Sequence, residues 1–216
     1  SHLGRVTSDT TSSLVAFQEA RTAFETMNRM LSQAVLNTYW DYDDPSNPAH
    51  YLRASELHFV LGPAPDITGL SQTAGTAVFC QAPLGLTQSS DLKFQPSLLN
   101  ALGFYVRFSL SEDLPDFLAE KKPETGAWRL WMFQQPAEDL SVYEAYNTTP
   151  QAASNLSWIQ DEITNPTWNH VLANNVIFLV IRAGHTNAQG AWQESYLYNS
   201  RGTAPTNTSP QAVQIH

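Results

Sequence analysis

The chain has 216 residues, 42% of them hydrophobic and only 14% charged, with a formal net charge of −9. That length holds one large domain or two small ones, with enough apolar material for a core that needs no staples. The acid excess excludes nucleic acid and anionic lipid as partners held by charge, the single cysteine, Cys80, excludes a disulfide framework and a cysteine-based zinc site, and no apolar run approaches the roughly 18 residues of a membrane-spanning helix.

The clearest pattern comes first in the chain. Apolar residues recur at Leu14, Phe17, Ala20, Phe24, Met27, Leu31 and Ala34, in steps of three and four, with Met30 and Val35 widening the stripe. This spacing predicts an amphipathic helix over about residues 10–38. The stretch contains no Gly or Pro and is rich in Ala, Glu, Gln, Arg and Met, all good helix formers. Glu25 and Arg29 stand four apart in the favourable order. The segment 41–48, with two prolines and three aspartates, cannot continue the helix.

Beyond Pro48 the texture becomes β-like. Runs at Leu52–Leu61, Thr76–Cys80, Phe104–Leu110, Trp128–Phe133 and Val176–Ile181 predict strands, with a weaker one at Trp192–Tyr198. In the first of these, Leu57, Phe59 and Leu61 are expected to face one way and Glu56 and His58 the other. Short helices are expected at Pro96–Leu102 and Asn155–Ile163, loops at 62–75, 111–126 and 182–191, and a loop-like tail from Arg201 to His216. A helix followed by a mostly antiparallel sheet reads as α+β.

The candidate chemistry is thin. Asp41, Asp43, Asp44 and Asn47 offer four oxygen-bearing side chains within seven residues, which makes them a weak calcium candidate. Ser46 and Leu52 stand where an EF-hand loop requires Gly and Glu, so the plainer reading is a turn capped by its own side chains. The six histidines form no i, i+2 or i, i+4 pair, and His58 reads as a strand residue on a polar face. Cys80 reads as a small buried apolar residue. There is no Gly-x-Ser-x-Gly and no glycine-rich phosphate loop. Carboxylates at Glu112, Asp113, Asp116, Glu120, Glu138, Asp139, Glu144, Asp161 and Glu162 leave an acidic hydrolase open without singling out a pair. Six tryptophans and eight tyrosines leave a sugar-stacking platform open, with Trp158, Trp168 and Trp192 alternatively anchoring a core. Asn147, Asn155 and Asn207 each begin a glycosylation sequon, a match that arises by chance in a chain rich in Asn and Thr.

The helical run Phe17–Asn37 resembles the post-membrane half of a type IV pilin-like helix, in particular that of the J-type minor pseudopilin of type II secretion. Arg21, Met27, Arg29, Leu31, Gln33 and Ala34 carry the likeness. Segments Leu36–Tyr42, Asn100–Phe108, Gln134–Tyr143 and Leu172–Ile177 are similar to the Verru_Chthon cassette protein C family of Verrucomicrobia and relatives, and the resemblance covers about residues 14–200. It implies a prepilin-type leader and a transmembrane half-helix ahead of this helix, a further strand beyond His216, and a place in the bacterial cell envelope, periplasmic or extracellular and membrane-anchored.

The expected fold is α+β and pilin-like: a long N-terminal helix packed on a mostly antiparallel β-sheet. Residues 1–38 form the helix without its membrane half, and residues 39–216 a β-rich head that makes one domain with it. The expected function is that of a non-enzymatic minor pilin or pseudopilin-like subunit, with other pilin-like subunits as partners and no cofactor. Leu14, Phe17, Phe24, Met27 and Leu31 are the expected helix-packing residues. Of these, Phe24, Met27 and Leu31 are expected in the chain's own core and Leu14 and Phe17 against a partner. The loops 62–75, 111–126 and 182–191 would carry partner specificity. The alternative is a secreted carbohydrate-binding or adhesive β-rich domain.

Overall fold

In the computed structural model, the described residues are 2–42, 46–110, 126–148, 155–186, 190–201 and 212–215. Helix α1 runs His2–Leu31 and ends before the expected residue 38. Four local bonds and one distant one stop it. The Gln33 and Ala34 amides donate back to the Met30 and Leu31 carbonyls (3.1 Å each), tightening the last turn. The Ser32 hydroxyl and the Gln33 side-chain amide both donate to the Arg29 carbonyl, at 2.8 and 3.1 Å. These serve carbonyls that a helix end leaves without partners. The Val35 N–H then donates to the Gln81 carbonyl at 2.9 Å in an isolated antiparallel bridge. Pairing with a strand overrides a helical periodicity that continues through Ala34 and Val35.

The strands in chain order are β1 Tyr39–Tyr42, β2 Tyr51–Ala54, β3 Val60–Pro63, β4 Thr73–Pro83, β5 Leu99–Ser109, β6 Ala127–Gln135, β7 Asn169–Asn174, β8 Ile181–Thr186, β9 Trp192–Ser195, β10 Tyr198–Asn199 and β11 Ala212–Ile215. Among the described residues the further α-helices are α2 Ala64–Thr68, α3 Ser141–Thr148 and α4 Ser157–Gln160. A six-stranded sheet has the order β10-β3-β4-β5-β6-β7, a three-stranded sheet the order β11-β8-β9, and β1 and β2 form a separate ribbon. Every described strand pair is antiparallel. The chain is thus mixed α and β with antiparallel sheets.

The large sheet is buried on both faces, and the two-residue period of its strands sorts the core. Leu61, Val78, Cys80, Leu102, Phe104, Val106, Leu130 and Ala173 face one side, where Ala23, Met27 and Leu31 of α1 and Ile181 and Ala183 of β8 cover them. Val60, Ala77, Phe79, Ala101, Tyr105, Trp131 and Phe133 face the other, under Ile67 of α2, Val142 and Ala145 of α3 and Trp158 and Ile159 of α4. Coverage on both faces explains the nearly continuous apolar runs of β4, β5 and β6. Gly103 lies opposite Phe79 in the β4–β5 register. A Cβ there would sit 2.1 Å from a carbon of the Phe79 ring, so the glycine makes room for a ring that also contacts Tyr105, Phe133 and Trp158.

Several expected elements are corrected. The Pro96–Leu102 helix is absent, and Leu99 opens β5 instead. The Leu52–Leu61 strand is broken into β2 and β3, and within the break Leu57 and Phe59 enter opposite core layers. Loop 62–75 holds α2 and the start of β4, loop 182–191 holds most of β8, and the tail contributes β11. Residues 111–125 lie outside the described residues.

The Val176–Ile181 run is not a strand. It crosses the end of β4, where Gly75 (φ +73°) opens an irregularity between Ala74 and Val78. The Thr76 N–H donates to the Leu179 carbonyl at 2.8 Å, and the Thr76 hydroxyl accepts from Ile181 N–H at 2.7 Å. A Cβ on Gly75 would lie 2.1 Å from the Leu179 oxygen. The crossing therefore buries Leu179 and leaves Ile177 and Phe178 exposed.

Candidate functional site

Helix α1 changes surroundings along its length. Leu14, Val15 and Phe17 are exposed, Leu14 by 60% and Phe17 by 68%, whereas Ala23, Met27 and Leu31 are buried. The change falls at Glu19, whose carboxylate accepts from both the backbone N–H and the side-chain amide of Asn174, each at 2.8 Å. Asn174 in turn accepts from Arg129 Nε at 3.2 Å, and Arg129 donates to the Ser109 carbonyl and hydroxyl at 2.6 Å. This chain of bonds ties the helix to the ends of β5, β6 and β7.

Phe24 was expected in the core but is 48% exposed. At 3.6 residues per turn it lies about 60° around the helix from Met27, while Phe17 and Leu14 lie about 80° and 140° away. The one stripe of the sequence is therefore two surfaces. Ala23, Met27 and Leu31 make the narrow one that meets the sheet, and Phe24, Phe17 and Leu14 turn progressively off it. Ala23, which the stripe omitted, takes the inner position expected of Phe24.

The weak calcium candidate is only partly described. Asp43 and Asp44 lie outside the described residues, and Asp41 accepts from the Tyr42 N–H at 2.8 Å. Among the described residues no group of three or more His, Cys, Asp or Glu is placed to hold a metal ion. The same segment instead builds a feature the sequence reading missed. In the β1–β2 ribbon, Tyr39 pairs with Ala54, Trp40 with Arg53, Asp41 with Leu52 and Tyr42 with Tyr51. Trp40, Tyr42 and Tyr51 thus share one face, exposed by 70%, 47% and 64%. The Tyr42 and Tyr51 rings are 5.0 Å apart and tilted by 32°. On the other face Ala54 is buried and the Tyr39 hydroxyl meets that of Tyr146 on α3 at 3.0 Å. The Arg201 guanidinium stands over the Tyr146 ring at 5.3 Å. The alternation Tyr39-Trp40-Asp41-Tyr42 ahead of a polar turn was the available signal for this ribbon.

Trp131, Trp158, Trp168 and Trp192 do not form a platform. Trp131 and Trp158 are buried, and Trp192 lies against Gly184, where a Cβ would come within 2.2 Å of the indole. Trp168 lines an acidic cleft of about 360 Å³ with Glu138, Asp139, Glu144 and Glu162. A neighbouring cleft of about 210 Å³ shares Ser141, Glu144 and Glu162 and adds Asp161. Five candidate carboxylates therefore gather between α3 and α4, while Glu112, Asp113, Asp116 and Glu120 lie outside the described residues. The Thr87 hydroxyl and backbone N–H groups, that of Ser89 at 2.9 Å, hold the Glu138 carboxyl below the usual range. Glu138 stays ionised, the opposite of what a general acid requires.

His58, expected on a solvated strand face, is fully buried and lies outside any strand. Its Nε2–H donates to Asn199 Oδ1 at 2.8 Å, and its Nδ1 accepts from Trp158 Nε1–H at 3.3 Å. Burial, with the Arg201 charge adding to it, lowers its pKa to about 3. A second proton would have to go on Nδ1, directly against the indole N–H. Cys80 is buried as expected, and burial pushes its thiol up to about 12. Asn155 uses both ends of its amide internally. Its Nδ2 donates to the Ala145 carbonyl at 2.7 Å, and its Oδ1 accepts from the Ser157 hydroxyl at 2.8 Å.

No helix among the described residues is long and apolar enough to cross a membrane. Compared with protein-family models, with curated proteins and with solved structures, the chain finds no match.

Proposed function

We propose that this chain is a non-enzymatic, minor pilin-like or pseudopilin-like structural subunit of a bacterial envelope assembly, joined to related subunits through α1. One observation carries the reading: Leu14, Val15 and Phe17 are exposed on α1 ahead of Glu19, whereas Ala23, Met27 and Leu31 beyond it are buried. Leu14 and Phe17 offer a partner helix the kind of i, i+3 apolar edge that ridge-into-groove packing uses. Exposing Leu14 and Phe17 side by side, about 60° apart around the helix, is costly for a monomer and useful for an assembly. The resemblance of the Phe17–Asn37 run to the pilin-like helix supports the same reading. A membrane-anchored, periplasmic or extracellular placement belongs to this proposal.

The test is Phe17→Glu. The expected result is a protein with unchanged thermal unfolding that no longer co-purifies with its cognate pilin-like subunits. Unfolding of the variant, or undiminished co-purification, contradicts the assignment of Phe17 to a subunit contact.

A further inference from the structure

We propose that the outer face of the β1–β2 ribbon is a binding platform for a neutral glycan, formed by Trp40, Tyr42 and Tyr51. This inference is independent of α1, and either surface can act without the other. Three aromatic side chains present large exposed faces on one side of a ribbon whose opposite side is fixed to the body. Trp40 and Tyr42 stand two residues apart on β1, about 7 Å along the strand. Tyr51 closes the array across the ribbon, its ring 5.0 Å from that of Tyr42 and its hydroxyl 3.4 Å from the Tyr42 hydroxyl. The fixed side matters because a stacking surface must be held in place before the ligand arrives. Ala54 is buried and Tyr39 is hydrogen-bonded to Tyr146, so the rings do not depend on ligand for their placement.

Flat exposed rings suit ligands that are themselves flat and carry weakly acidic C–H groups on one face and hydroxyls at the edge. Pyranose rings have that form, and C–H contacts to an aromatic face supply the stacking. Nucleic-acid bases stack equally well, but their phosphates need several cations. By register Asp41 pairs with Leu52 on the opposite face, and Arg53, paired with Trp40, is the one charged residue on the aromatic side of the described ribbon, within a chain of net charge −9. A single cation is too few to hold a polyanion, so the ligand class that fits is an uncharged polysaccharide.

The experiment is affinity electrophoresis of the full chain in native gels cast with hydroxyethylcellulose or with glucomannan, and in a gel without polymer. A labelled single-stranded oligonucleotide and sedimentation velocity are run in parallel. The expected result is retardation by at least one of the two neutral polymers. Trp40→Ala is expected to weaken it at least about fivefold, the lower end of what loss of one stacking ring brings. Because Trp40 is so exposed, its variant is expected to melt with the wild type. Should it not fold, Tyr51→Ala is read in its place, with the same expected weakening. Unchanged mobility in both polymer gels overturns the proposal, as does retardation that neither substitution reduces. Oligonucleotide binding or self-association that depends on Trp40, without retardation by either polymer, assigns the face to another ligand and also overturns it.

Discussion

The two halves of α1 are made of similar residues and sit in opposite environments. Residues 23–31 bury Ala23, Met27 and Leu31 against the sheet, while residues 14–17 hold Leu14, Val15 and Phe17 in solvent. The difference does not come from hydrophobicity. It comes from where the helix is tied down: Asn174, the last residue of β7, takes hold of Glu19, and the side chains that enter the core, Ala23, Met27 and Leu31, follow that tie. An apolar period in a sequence reports that a face is covered; it does not report whether the chain itself does the covering.

That contrast can be broken by mutation, with the largest effect expected on assembly. Phe17→Glu is expected to abolish subunit association with no loss of stability, as described above. Next, Met27→Ala is expected to destabilise the isolated chain by about 2–5 kcal/mol in urea unfolding, because it leaves a cavity between helix and sheet. Phe24→Ala, on the same helix but half-exposed, is expected to cost well under half as much. Equal losses at the two positions would mean that the inner and outer surfaces are not distinct.

The buried side of the contrast also has a pH signature. His58 titrates near 3 when folded and near 6.5 when unfolded. Between those values the unfolded chain binds a proton that the folded chain does not, so stability is full above about pH 7 and falls as the pH drops. The loss is about 1.4 kcal/mol for each pH unit in that window. Carboxylates add their own dependence, so the readout is the difference between wild type and His58→Asn, which is expected to lack this part of the slope. Parallel stability curves for the two proteins from pH 7 to 4.5 would contradict a neutral buried His58. The smallest effect is at the hinge between the halves. Glu19→Ala removes two hydrogen bonds at a half-exposed site and is expected to cost about 1 kcal/mol. Amide exchange should rise in residues 14–22 and stay unchanged in residues 27–31.

These expectations also mark how far the sequence could be read. The helix was legible because seven apolar residues kept a helical period, and β4, β5 and β6 were legible as strands from their apolar runs. The helix end was not, since a bond from Val35 to Gln81 stops it and no local pattern announces a partner 46 residues away. Pro96–Leu102 has helical composition, yet Leu99 and Asn100 pair with Pro83 and Ala82. His58 read as solvent-facing because alternation was assumed through residues 52–61, while Ala54 to Val60 in fact leave one sheet and enter another. Five acidic residues between positions 138 and 162 line two adjoining clefts because α3 and α4 pack on the same sheet face. For the aromatic ribbon the alternation was present, but Asp41, Asp43 and Asp44 drew the reading toward a turn and a cation.

The most direct test of the central claim is site-specific photocrosslinking in the bacterium that makes the protein, with the crosslinking residue placed at Phe17 in one strain and at Arg29 in another. Both positions are exposed on the same helix, one before Glu19 and one after it. The account predicts a crosslink from position 17 to a second helix of a pilin-like subunit and none from position 29. No crosslink at position 17, or equal yields from both positions, would contradict it.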